Sequence, residues 1–143
     1  MKKLFAPCPT PMCTDVALLV LRVVAGIAMA THGWGKIQNP FAWMGEGAAV
    51  PGIFQALAAV SEFAGAIAVA LGLVTRLAGL GLSFTMLGAA LFHMVVLKDP
   101  FVSTGQGGSY EMATLYLLIY GLLTVHGPGR LSLDAKLFGE CRK

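Results

Sequence analysis

The chain has 143 residues, 57% of them hydrophobic and 12% charged, with a formal net charge of +3. Soluble domains carry about twice that share of charge, and disordered chains are far poorer in apolar residues. The mean hydropathy of +0.76 therefore leaves a small, single-domain integral membrane protein; the basic residues are scattered, with no basic face interleaved with aromatics, which excludes a nucleic-acid binder.

Residues 1–15 read as a cytoplasmic tail. It carries Lys2, Lys3, Cys8 and Cys13, and Pro7, Pro9 and Pro11 keep it extended. Three cysteines are too few for a disulfide scaffold, and cytoplasmic thiols stay reduced. Cys8, Met12 and Cys13 suit a soft ion such as Cu(I); the plainer reading is a tail with exposed thiols. Lys2 and Lys3 followed by Ala28-Met29-Ala30 also resemble a cleaved leader, but Arg22 interrupts its apolar stretch and argues against cleavage.

Four apolar runs follow, at about 16–34, 53–74, 77–97 and 110–126. A bilayer core of about 30 Å takes roughly 20 helical residues, so the long run from 53 to 97 reverses at Thr75-Arg76. The expected fold is all-α: an integral membrane antiparallel four-helix bundle over 16–137, with a basic C-terminal tail at 138–143. Lys2, Lys3, Arg76, Arg130, Lys136, Arg142 and Lys143 fall on one side and Lys36 and Lys98 on the other. The positive-inside rule places both termini in the cytoplasm of a multi-pass bacterial inner-membrane protein. Small residues at Ser61, Gly65, Ala68 and Gly72, at Gly26 and Gly33, and at Gly81 and Gly88 mark helix-packing faces. Trp34, Phe41 and Trp43 suit the interface, and residues 39–52 lie along it or dip back in.

Intramembrane ionisable residues cost several kcal/mol and face the bundle interior. Here they are Arg22, His32, Glu62, His93 and Glu111. At about 1.5 Å per residue, His32, Glu62, His93 and Glu111 gather in the outer half of the bundle, and Arg22 lies about 7 Å along the axis from Glu62. Three readings follow. One is a buried network that only fixes packing, with Arg22 paired to Glu62. The second is a pocket for the polar head of an apolar molecule such as a quinone, in which Glu62, His32 and His93 are the catalytic groups and Arg22 and Glu111 complete the binding set. The third is a transition-metal site of His32 and His93 with Glu62 or Glu111.

Several short motifs occur in order: His32-Gly33-x-Gly35-Lys36, Glu62-Phe63-x-Gly65, Leu71-Gly72-Leu73-Val74-Thr75-Arg76, a third helix with His93, Gly107-Gly108-x-Tyr110-Glu111, and Gly127-Pro128-Gly129-Arg130-Leu131-Ser132-Leu133-Asp134. From Asp15 to Leu137 the chain resembles the DoxX family of small four-helix bacterial inner-membrane proteins. The resemblance implies kinship with the small membrane subunits of thiosulfate:quinone oxidoreductase, and with members linked to oxidative or thiol stress and to copper or iron handling. The leading expectation is a membrane redox component, a subunit of a quinone-linked oxidoreductase. The alternative is a non-enzymatic metal-handling or stress-response protein using the same cluster. Expected partners are the bilayer, a quinone-like molecule, a redox protein that supplies electrons and, in a homo-oligomer, further copies of the chain.

Overall fold

The structure is a computed structural model that describes residue 7 and residues 10–45, 47–105 and 107–139. Among these residues every regular element is a helix. Helix α1 is Met12–Gln38, α2 is Gly52–Leu71, α3 is Thr75–Leu97, α4 is Glu111–His126 and α5 is the short Leu133–Phe138. The first three are long and apolar enough to cross a membrane; α4, with 16 residues, is shorter. Large side chains such as Val24, Leu57, Phe84, Leu118 and Val125 are exposed around the outside. A water-soluble protein would bury such a set, whereas lipid tails receive it at no cost.

The helices begin and end where local chemistry demands. Pro11 and Pro51 precede the first turns of α1 and α2, where a missing amide is harmless. Helix α2 stops at Gly72, whose φ of 71° is the left-handed cap that glycine adopts freely. The reversal into α3 is therefore Gly72–Val74, slightly before the expected Thr75-Arg76. Helix α1 runs four residues beyond the expected span at each end, because residues 12–15 and 35–38 also take helical form. Short α5 was not anticipated; Ser132 caps it by accepting the Ala135 amide.

Helix α1 packs on α2, α2 on α3 and α3 on α4, with lighter contact between α1 and α4. The core between them holds Met29, Val69, Leu82, Tyr120 and Leu123. The buried Tyr120 hydroxyl donates to the Ala25 carbonyl of α1 at 3.0 Å, linking two helices whose contact is otherwise light.

One end of the bundle is closed by charged side chains bonded to backbone. The Asp134 carboxylate accepts the Val74 and Thr75 amides at 2.6 and 2.9 Å, capping α3 from another element. The Asp134 amide donates to the Gly72 carbonyl. Arg22 donates from Nη1 to the Ala70 carbonyl at 2.6 Å and from Nη2 to the Leu131 carbonyl. Asp15 accepts the Arg130 amide and Nε at 2.8 and 2.7 Å. Arg76 reaches the His126 carbonyl at the end of α4. Helix termini leave unpaired amides and carbonyls that water normally satisfies; here side chains from neighbouring segments do so. This latch fixes four chain segments at once.

Candidate functional site

At the opposite end, two helices depart from α geometry. Helix α2 passes through a π-helical turn at Ser61–Gly65, and α3 finishes in another at Phe92–Leu97. Such turns are rare and collect at functional sites, because the wider turn re-aims side chains. The first carries Glu62 and the second His93. Gly33 of α1 lies directly against the first: a β-carbon there would sit 2.6 Å from the Glu62 carbonyl carbon and the Phe63 nitrogen. Only glycine permits that approach, and it sets the level of Glu62 beside Gly33.

Between α2 and α3 lies a cavity of about 990 Å³ that both Glu62 and His93 line. Its walls are mostly apolar, including Phe54, Leu57, Phe84 and Phe92. Phe54, Leu57 and Phe84 also lie on the exposed outer surface, so the cavity mouth faces the lipid side. Glu62 is almost wholly buried and pairs with Lys36, whose Nζ lies 2.7 and 2.6 Å from the two carboxylate oxygens. The ammonium also sits 4.4 Å from the centre of the Trp43 ring, a cation–π contact. Trp43 belongs to the 39–51 connection, which folds back over the cavity end. Buried Gln55 pins it by accepting the Met44 amide, donating to the Val50 carbonyl and receiving Trp43 Nε1 on its own carbonyl. On the other wall, His93 Nδ1 meets Asp99 Oδ2 at 2.7 Å.

A model of the DoxX family matches residues 17–94, more than half of the chain. The chain belongs to the DoxX family. It is 35% identical over 129 residues to "Inner membrane protein YqjF" of Escherichia coli, covering 86% of this chain and 93% of that one. It is 32% identical over 130 residues to "Putative oxidoreductase CatD" of Bacillus subtilis, covering 87% and 89% respectively. A Haemophilus influenzae protein of uncharacterised role is 34% identical over 123 residues, covering 85% of this chain and 90% of its own length. No solved structure matches. The kinship identifies a multi-pass inner-membrane protein, and the matched segment contains Lys36, Glu62 and His93.

The structure of this DoxX protein rearranges the expected cluster. Arg22 does not pair with Glu62. With Glu62 level with Gly33, eleven residues of α1 separate it from Arg22, about 16 Å of rise and beyond an arginine's reach. Arg22 belongs to the latch instead. His32 is exposed on α1, its ring 6.4 Å from that of Tyr116, and does not line the cavity. Glu111 is half-buried at the start of α4, also outside the cavity lining. Of the expected binding set, Glu62 and His93 share one cavity and Arg22, His32 and Glu111 lie elsewhere. Among the described residues no three histidine, cysteine or acidic side chains gather as a metal site, so the expected set of His32, His93, Glu62 and Glu111 does not assemble. Cys13 is an exposed free thiol on the first turn of α1; Cys8 lies outside the described residues.

Sequence reasoning missed Lys36, Gln55 and Asp99 as parts of this site. A buried carboxylate in α2 requires a cation, and Lys36 is the lysine within reach. Asp99 carried a visible signal too: it lies six residues after His93, across a helix end, where the chain can fold back on its own last turn.

Proposed function

We propose that this protein is an antiparallel four-helix transmembrane redox component that takes a quinone-like molecule from the bilayer into the α2–α3 cavity. The observation that carries the reading is the cavity itself: about 990 Å³, apolar-walled, open on the lipid side, with a carboxylate and an imidazole on its surface. Small-molecule sites have this make-up, with apolar walls for the ring and tail and a few polar groups for orientation. The excess of lysine and arginine on the Arg76–Arg130 side supports placing both termini in the cytoplasm and the cavity end outside.

Reduction of a quinone consumes two electrons and two protons, and oxidation of the quinol returns them. Glu62 and His93 supply the hydrogen bonds and proton positions. Sequence motifs for flavin or dinucleotide binding are absent, so the electrons pass to or from a partner redox protein. The word oxidoreductase in the CatD name agrees with this chemistry.

The test is direct. Protein purified in mild detergent is extracted with solvent for quinones and quinols and titrated with decylubiquinone and decylubiquinol. Quinone or quinol should co-purify or bind, and Glu62→Gln and His93→Ala should each weaken quinol binding about tenfold or more, the loss of one or two buried hydrogen bonds. Binding that is absent, or unchanged in both variants, refutes the proposal.

A further inference from the structure

The redox state of the ligand can be read from which hydrogen-bonding groups the cavity leaves free, given the quinone reading above. Most of the donors around it are already engaged within the protein. The Lys36 ammonium gives its hydrogens to both oxygens of Glu62 and faces Trp43. Trp43 Nε1 donates to the Gln55 carbonyl, and the Gln55 amide to the Val50 carbonyl. The Thr85 hydroxyl donates to the Gly81 carbonyl one turn back, whereas the Ser61 hydroxyl on the cavity lining is buried without a partner among the described residues and can turn either to donate or to accept.

Beside that hydroxyl, which serves either role, stands a pair of groups that only accept. The Glu62 carboxylate has lone pairs beyond those turned to Lys36. Asp99 sets the tautomer of the neutral His93 ring. The chain reverses at Lys98, a non-glycine residue with φ of 60°, and so brings Asp99 back onto the end of its own helix. There the Asp99 amide donates to the His93 carbonyl at 3.0 Å while its carboxylate meets Nδ1 at 2.7 Å. Gly108 presses on that carboxylate too, and a β-carbon there would collide with it. A carboxylate can only accept, so in the neutral ring the imidazole proton sits on Nδ1 and Nε2 keeps a bare lone pair.

We infer that Asp99 is a positioning residue that sets His93 as a hydrogen-bond acceptor toward the cavity, and that the cavity therefore selects the hydroxyl-bearing quinol over the carbonyl-bearing quinone. A quinol offers two O–H donors to two acceptors. A quinone offers acceptors only, and at Glu62 and His93 it meets like groups.

Two measurements on the full-length protein in detergent test this. In the first, decylubiquinol and decylubiquinone are titrated separately under anaerobic conditions. The quinol should bind about tenfold more tightly, the worth of one well-made hydrogen bond against an unmade one. Asp99→Leu, which offers no acceptor, should abolish the preference by freeing the imidazole tautomer, and Asp99→Glu should restore part of it. In the second, nitrogen NMR of histidine-labelled parent protein should show His93 protonated at Nδ1 and bare at Nε2. Quinone binding as tightly as quinol in the parent, an Nε2-protonated His93, or an unchanged preference in Asp99→Leu overturns the inference while leaving the quinone site standing. Failure of both ligands to bind removes the quinone site and the inference with it. The parent preference and the NMR tautomer decide the matter even if the leucine variant does not fold.

Discussion

At the latch end Asp15, Arg22 and Asp134 direct their charge at backbone amides and carbonyls of other segments, with Asp15 also holding the Arg130 side chain. At the cavity end Glu62 and Lys36 face each other, His93 and Asp99 face each other, and open space lies between the two pairs. Both ends contain buried carboxylates and cations, so a count of intramembrane charge does not separate them. What separates them is the partner. A charge bonded to a helix terminus is committed to the fold, because withdrawing it leaves unpaired backbone in an apolar surrounding. A charge bonded to a side chain on a cavity wall retains lone pairs for a ligand. The latch is architecture and the cavity is chemistry.

The contrast breaks most visibly at Asp134. Replacing it with alanine leaves the Val74 and Thr75 amides without acceptors, and thermal unfolding in detergent should show a loss of about 3 kcal/mol, while the protein that remains folded binds quinol as before. Next in size is Gly33→Ala. The new methyl group meets the backbone of the α2 π turn, so the helices must part; a loss of about 2 kcal/mol is expected, together with weaker ligand binding because Glu62 moves. A latch substitution should leave binding alone, whereas this one should change both readouts.

Double-mutant cycles sharpen the comparison further. Lys36→Met and Glu62→Gln should couple by about 1–2 kcal/mol, with the double variant more stable than the sum of the single losses implies. Arg22→Met and Glu62→Gln should add within about 0.5 kcal/mol, since the two side chains belong to different ends. Strict additivity for the lysine pair would sink the assigned ion pair. A smaller effect belongs to Val74, a β-branched residue held at φ of 42°. Asp134 secures its amide in that conformation, and Val74→Gly should raise stability by about 1 kcal/mol by relieving the backbone. His32→Ala, outside the cavity, should leave quinol affinity within about twofold, a difference too small to reflect a lost hydrogen bond.

The helices were legible because apolar runs in a membrane protein map almost directly onto them. Bounds near 53–74, 77–97 and 110–126 differ from the observed ones by three residues or fewer. The site was less legible, for a geometric reason. Depth along a helix was inferred from assumed span limits and a uniform rise, but the level of Glu62 is set by a contact, that of Gly33 with the α2 backbone. Once that contact is known, Lys36 falls three residues, about 4.5 Å, beyond Gly33, and the pairing with Glu62 follows. The role of Arg22 was hidden for a related reason. Its partners are carbonyl oxygens of Ala70 and Leu131, and every residue carries one, so residue identities offered no clue to them. His93 lines the cavity, while His32, only one residue from Gly33, turns outward.

The two π turns bear on how such a cavity arises. A wide turn of this kind is what remains when one residue is added within an α-helix and absorbed locally. Each added residue advances the helix by about 100°, so deleting one from Ser61–Gly65 would regularise the turn and swing half of α2 relative to the other half. The latch would keep its grip on the Ala66–Leu71 half through Arg22 and Gly72, and the Gly52–Val60 half would rotate away from α3. A single-codon insertion, rather than many substitutions, is thus enough to convert a plain packing seam into a wall that presents a carboxylate to a neighbouring void, and the firmly tied far end is what lets the helix absorb it.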